Sequence, residues 1–218
     1  MSATIKKESI NIRSILSSIP GILDKIKHLW HTDHETGWKD LTSPLTTAGV
    51  PTANAPTLAS FGTTTTGDAY EAMSFANGDY AYCLPFHINH DINNGAKALL
   101  HIHWSTNGTS TAQVDWQFTV RRALGHGQAT FANTEATYTV SENASGTAWQ
   151  HMVTEVDISN ALLLSEPDEL ILVTLKRTSA TNANAVFGLY VDLHYESSRE
   201  ATPNRAPNFY DRTYIHHE

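Results

Sequence analysis

One cysteine, Cys83, in 218 residues excludes an intrachain disulfide framework and any zinc module built on several thiolates. Charge is scarce as well: 17% of residues are Asp, Glu, Lys or Arg, against about 25% in ordinary globular chains. Basic residues are in deficit, with a formal charge of −8. Residues 1–30 hold five basic and two acidic side chains, +3, which leaves nine against twenty, −11, for the rest. A nucleic-acid-binding main domain is excluded on that balance. No apolar run approaches the ~18 residues of a membrane span, and the N-terminus lacks a signal peptide's apolar stretch. Synthesis in a cytoplasm is therefore expected. The sequences G-x-S-x-G, G-x-G-x-x-G and the P-loop are missing too, which removes the usual nucleophile elbow and phosphate cradles.

What is present leans toward strands. Hydrophobic residues make up 40% of the chain, enough for a core, and it holds 27 Thr and 24 Ala. Threonine, branched at Cβ, suits a pleated and half-solvated surface better than a helix interior. From Ala69 onward, short alternating segments are separated by turn clusters such as Asn93-Asn94-Gly95, Asn107-Gly108 and Gly125-His126-Gly127. In the clearest of them Val114, Trp116, Phe118 and Val120 alternate with Asp115, Gln117, Thr119 and Arg121. Phe187, Leu189, Val191, Leu193 and Tyr195 read as a second apolar stripe, with Tyr190, Asp192 and His194 opposite. Further strands are predicted at 80–88, 97–104, 136–140, 149–158 and 170–177. About eight antiparallel strands at this spacing predict an all-β sandwich of jelly-roll type over residues 69–200.

The flanks read differently. Over residues 1–35, Ile12, Ile15, Leu16, Ile19, Leu23 and Ile26 recur at three- and four-residue spacing, the signal of an amphipathic helix broken at Pro20-Gly21. Its apolar stripe is the expected partner-binding surface; lying on a membrane is the less favoured use of the same basic, amphipathic segment. Residues 36–68, crowded with Pro, Gly and Thr, predict an extended arm or linker, and residues 201–218 a C-terminal tail.

Twelve histidines are many for this length. In Lys97-Ala-Leu-Leu-His101-Ile-His103-Trp104 the strand period sets His101 and His103 on one face and Leu100, Ile102 and Trp104 on the other. Neighbouring strands could add His87, His90, Asp192 or His194. His101, His103 and His194 form the candidate metal set, for a structural divalent ion; a half-buried polar ladder is the competing reading. No other cofactor and no catalytic residue is expected. Gly95 followed by His101-Ile-His103 also resembles the first half of the cupin metal motif, which implies a metal-dependent enzyme as the alternative function. Asn107 and Gly108 stand where that motif needs a glutamate. His28, His31 and His34 read as a helix end, and Cys83 as an inert thiol in an apolar strand. Trp149, Tyr80, Tyr82 and Tyr190 are the aromatic groups on which a sugar could stack.

Read together, Trp38-Lys-Asp-Leu41, Phe86-His87, Gly95, His101-Ile-His103-Trp104, Val114-Asp-Trp116, His151, Arg177 and Asp192-Leu-His194-Tyr195 resemble a family of tailed-bacteriophage virion proteins over roughly residues 36–200. That family carries an HxHW strand before a turn and a DxHY strand near its end. The resemblance implies a non-enzymatic virion component, located in the particle and serving decoration, assembly or host attachment. Its partners would be other copies of itself, most plausibly as a homotrimer, other head or tail proteins through residues 1–60, and a host glycan.

Overall fold

The computed structural model describes residues 37–62, 70–131, 135–159, 164–179, 181–198 and 201–210. The chain divides into two units, Met1–Glu35 and Thr36–Glu218. The first, with the expected helix and its stripe Ile12, Ile15, Leu16, Ile19, Leu23 and Ile26, lies outside the described residues. So do His28, His31 and His34.

The second unit is an all-β antiparallel sandwich of jelly-roll type, as the alternation predicts. Its strands are β1 (Gly37–Pro44), β2 (Thr57–Phe61), β3 (Tyr70–Phe75), β4 (Tyr80–Tyr82), β5 (Phe86–His87), β6 (Ala98–Thr106), β7 (Gln113–Ala123), β8 (Ala136–Asn143), β9 (Met152–Asp157), β10 (Leu170–Arg177) and β11 (Val186–Ser197). One sheet runs β2-β3-β11-β6-β9, with β1 also on β11; the other runs β4-β10-β7-β8, with β5 also on β10. No helix among the described residues is long and apolar enough to cross a membrane.

Alternation accounts for most of this. On β7 Val114, Trp116, Phe118 and Val120 are buried, and on β10 Ile171, Val173 and Leu175 are, so the second sheet turns one apolar face inward. The first sheet answers with Leu100, Ile102 and Trp104 of β6 and Val191, Leu193 and Tyr195 of β11. Trp116 meets Phe75 edge-on at 5.5 Å and Trp104 at 6.3 Å, across the middle of the core. The predicted strand over 80–88 is two, β4 and β5, separated at Leu84-Pro85, where proline offers no N–H to the ladder.

Three expectations need correcting. The stretch 36–68, expected as an extended arm or linker, has its described parts built into the sheet as strands. Its residues Gly37–Pro44 pair with β11, Thr57–Phe61 pair with β3, and Leu45 between them is fully buried. Backbone pairing at a sheet edge needs no apolar alternation, so these strands left no period to read. The apolar stripe predicted along β11 is interrupted by a bulge between Gly188 and Tyr190. One extra residue, Leu189, reverses the phase, so Val191, Leu193 and Tyr195 enter the core while Phe187 packs elsewhere, against Phe61 at 5.4 Å and Trp149 at 5.5 Å. The described part of the tail is folded back on its own domain: Phe209 is 1% exposed, and the Tyr210 hydroxyl donates to the Ile92 carbonyl at 3.3 Å.

Candidate functional site

The core-facing period of β6 forces its alternate residues, Leu99, His101, His103 and Ser105, to the outer face of the first sheet. Beyond the bulge, Tyr190, Asp192 and His194 of β11 take the same face. Antiparallel register sets Leu99 opposite His194, His101 opposite Asp192 and His103 opposite Tyr190. On the far side of β6, Glu155 of β9 is opposite His101; on the far side of β11, Asp40 of β1 is opposite His194. Polar residues remote in sequence thus form one grid across four strands.

Asp192 is its centre. Although on an outer face it is only 4% exposed, because the neighbouring rings close over it. His194 Nε2 lies 3.0 Å from Asp192 Oδ2 and 3.1 Å from Asp40 Oδ1. His103 Nε2 lies 3.3 Å from Asp192 Oδ2, and His101 Nδ1 lies 3.7 Å from Asp192 Oδ1. Burial is the largest influence on the Asp192 carboxyl and pushes its pKa up. The contacts and charge of His103 and His194 together outweigh it and hold the group below the usual carboxylate value. Asp192 is therefore an anion at neutral pH, held among imidazoles.

His101 Nε2 bonds Glu155 Oε2 at 2.7 Å, and the His101 ring lies 3.9 Å from that of His194. His103 faces two ways: its Nε2 points to Asp192, while its Nδ1 bonds His151 Nε2 at 2.8 Å and its ring stacks on Tyr190 at 3.9 Å. Burial, then the nearby His103, lower the pKa of His151 and favour its neutral form. The donor atoms able to share a metal belong to His101, Asp192 and His194, all within 4.8 Å of one another. Two of the three predicted ligands are thus brought together, and Asp192 replaces His103. His103 also reaches Asp192 Oδ2, at 3.3 Å, but falls outside that group of three.

His87 and His90 do not join this group. They surround Asp168 together with His126, with contacts of 3.2 Å from His87, 3.6 Å from His90 and 2.8 Å from His126. The tail segment helps fix them: His90 Nδ1 meets Thr202 Oγ1 at 2.7 Å, and the Phe209 ring lies 5.6 Å from His90 and 5.8 Å from His126. Burial raises the Asp168 pKa, but the hydrogen bond from His126 and the charges of His90, His87 and His126 lower it further, below its ordinary value. In the sequence, Asp168 and His126 read as turn residues. The only legible hint was the abundance of histidine near turns, because the short strand β5 and three different loops supply the cluster.

The remaining motif residues are structural. Trp104 Nε1 donates to Thr154 Oγ1 at 2.7 Å, and the Tyr195 hydroxyl donates to Asp91 Oδ1 at 2.8 Å. Buried Arg177 donates to the carbonyls of Phe75 at 2.7 Å and Asn182 at 3.2 Å, tying β3 to the loop before β11. Cys83 is buried, and desolvation pushes its thiol up to about 12 against a hydrogen bond with Ser43, so it is inert as predicted. Of the sugar-stacking candidates, Tyr190 is covered by His103, while Trp149 packs on Phe61 at 5.2 Å. Tyr80 and Tyr82 meet edge-on at 5.7 Å on the second sheet. Tyr82, 46% exposed, borders a groove of about 460 Å³ with Thr119, Arg121, Glu135 and Thr174.

No protein-family profile and no curated protein matches this sequence. Among solved structures, a family 35 carbohydrate-binding module from Cellvibrio japonicus is similar at 18% identity and a TM-score of 0.40, over 69% of this chain and 92% of that one. A family 35 module from Clostridium thermocellum is similar at 11% identity and a TM-score of 0.43, over 71% and 97%. A structure of infectious bursal disease virus is similar at 10% identity and a TM-score of 0.36, over 74% of this chain and 32% of that one.

Proposed function

We propose that this chain is a non-catalytic virion protein of a tailed phage, a jelly-roll module put on display at the particle surface and attached to other virion proteins by its N-terminal residues. One observation carries the reading. The two motifs shared with that virion family, His101-Ile-His103-Trp104 and Asp192-Leu-His194-Tyr195, are separated by about ninety residues yet lie on adjacent strands, His101 opposite Asp192. Their Trp and Tyr fill the core while their His and Asp build the polar grid, so the motifs describe a unit of architecture. An acidic, weakly charged surface agrees with a protein that binds proteins or glycans rather than nucleic acid.

Self-association as a homotrimer belongs to this proposal, and light scattering of the purified chain tests it. Deleting residues 1–35 tests attachment. The truncated protein is expected to keep the melting transition of the sandwich and to be lost from assembled particles; normal incorporation overturns the anchor. A host glycan is assigned to the groove beside Tyr82, whose exposed ring next to hydroxyls and the Arg121–Glu135 ion pair suits a sugar face and its hydroxyls. Phage carrying Tyr82→Ala is expected to adsorb to host cells more slowly, and unchanged adsorption rejects that assignment.

A second reading, a cupin-like enzyme using His101 and His103, draws on the donor atoms gathered near Asp192. Turnover of a small substrate that is lost in His101→Ala would replace the structural reading with it.

A further inference from the structure

Among the described residues, the outer face of the first sheet carries buried polar atoms without a hydrogen-bond partner on His103, Ser105 and Asp192, of which the Asp192 oxygen is the charged one. Asp192 is 4% exposed, and its Oδ1 has no hydrogen-bond partner. A buried carboxylate oxygen without a donor is costly, and native structures rarely tolerate one. His101 Nδ1 lies across from it at 3.7 Å, too far for a hydrogen bond.

The tautomer of His101 sharpens the problem. Its other nitrogen, Nε2, is 2.7 Å from Glu155 Oε2, and a carboxylate can only accept, so Nε2 carries the proton. In the neutral ring Nδ1 is then a bare lone pair, aimed at a bare carboxylate oxygen. A neutral His101 leaves that lone pair facing the carboxylate oxygen, and either a second ring proton or a metal ion shared by the two would satisfy both. A carboxylate holding the distal N–H of an imidazole is also the usual outer-shell partner of a metal-bound histidine.

The third donor is in place. His194 Nε2 lies 3.0 Å from Asp192 Oδ2, and the donor atoms of His101, Asp192 and His194 fall within 4.8 Å of one another. Ligands about 2.0–2.2 Å from a tetrahedral metal are about 3.3–3.6 Å apart; His194 lies 3.0 Å from Asp192 Oδ2 and His101 3.7 Å from Asp192 Oδ1, and with every donor within 4.8 Å of the others small side-chain rotations bring the three to one ion.

We propose that His101 Nδ1, the Asp192 carboxylate and His194 Nε2 bind one divalent transition-metal ion of the zinc class on the outer face of the first sheet, with Glu155 orienting His101 from behind. Two imidazoles and one carboxylate select zinc, nickel or copper over magnesium and calcium, which prefer all-oxygen sites. The ion joins β6 to β11, the central strands of the sheet. Asp40 Oδ1, on β1, lies 3.1 Å from His194 Nε2. The proposal is independent of the virion reading, since a structural ion is compatible with either function.

The test uses the full chain, stripped with chelator and titrated with Zn2+ by calorimetry and thermal shift, with Mg2+ as the control cation. Twelve histidines will collect zinc loosely, so the decisive quantity is the difference between variants. The wild type is expected to bind one tight equivalent and to melt higher with Zn2+ but not with Mg2+. His101→Gln, Asp192→Asn and His194→Gln are each expected to lose that equivalent and the shift. Glu155→Ala, which leaves all three ligands intact, is expected to weaken it by about tenfold or more. His126→Gln, in the separate Asp168 cluster, is expected to leave it unchanged. A chain that takes up no tight equivalent, retention of it in His101→Gln and His194→Gln, or its loss in His126→Gln overturns the proposal. Melting of the metal-free variants shows which are folded, and His194→Gln, at a partly exposed position, keeps the test open if Asp192→Asn is not.

Discussion

At the scale of single residues, the fold places carboxylates where several donors converge. Asp91, 8% exposed, receives the Tyr195 hydroxyl at 2.8 Å, the Ser197 hydroxyl at 2.9 Å and an ion pair from Lys39. Burial is the largest influence and raises its pKa. The bonds from Lys39, Tyr195 and Ser197 outweigh it together and leave the carboxyl below its ordinary value. A depressed carboxyl stabilises the folded state at every pH above the unfolded value of about 3.9, and that stabilisation is lost as pH falls through the lower folded value. Asp157 and Asp168 are shifted the same way. The melting temperature is therefore expected to drop below about pH 4, and Asp91→Asn, with one such group removed, is expected to show a shallower acid limb. An identical limb in the variant would show that Asp91 is not among its causes. Residues of this kind were invisible in the sequence. Asp91 lies in a loop with no motif, and its donors come from two distant strands, β1 and β11.

At the scale of elements, the β11 strand shows how one residue redirects a whole face. The expected stripe assumed an unbroken period of two, and its inward set was right from Val191 onward. Before the bulge it was not: the core position is Gly188, whose Cα sits where an added Cβ would lie 2.6 Å from Leu45 Cδ1 and 2.9 Å from Phe75 Cε2. Glycine is required there because Leu45, carried in by the turn after β1, fills the space a side chain would need. Gly188→Ala is expected to destabilise by about 1–3 kcal/mol through overpacking, read from the denaturant midpoint. A neutral substitution would mean that Leu45 and Phe75 can repack without strain. By contrast β10 alternates throughout and β7 does so from Val114 to Val120, and both were readable as strands because each buries one face on the same core over that length.

At the scale of the whole molecule, Thr36–Glu218 is a unit with its own core, closed at one end by the returning segment around Phe209. Removing residues 1–35 is therefore expected to leave the urea midpoint of the sandwich unchanged even where it abolishes incorporation. A large loss of stability would mean that those residues contribute to the domain itself rather than to attachment. The two histidine clusters also belong to this scale. The Asp192 grid is built from strands neighbouring in the sheet, whereas the Asp168 cluster is built from β5, three loops and the tail segment.

The sequence by itself determined the class of fold, the strands with unbroken alternation, the inert thiol, and the sharing of one face by His101 and His103. These follow from a period of two and from the chemistry of single side chains, both of which are local. Only the tertiary structure decided that residues 37–44 and 57–61 are strands, that Asp192 rather than His103 stands with His101 and His194, and that His87 and His90 belong to Asp168. Those outcomes depend on register, on a one-residue bulge and on loop return. Each is set by which strands bury their apolar faces together, and no local pattern carries that information.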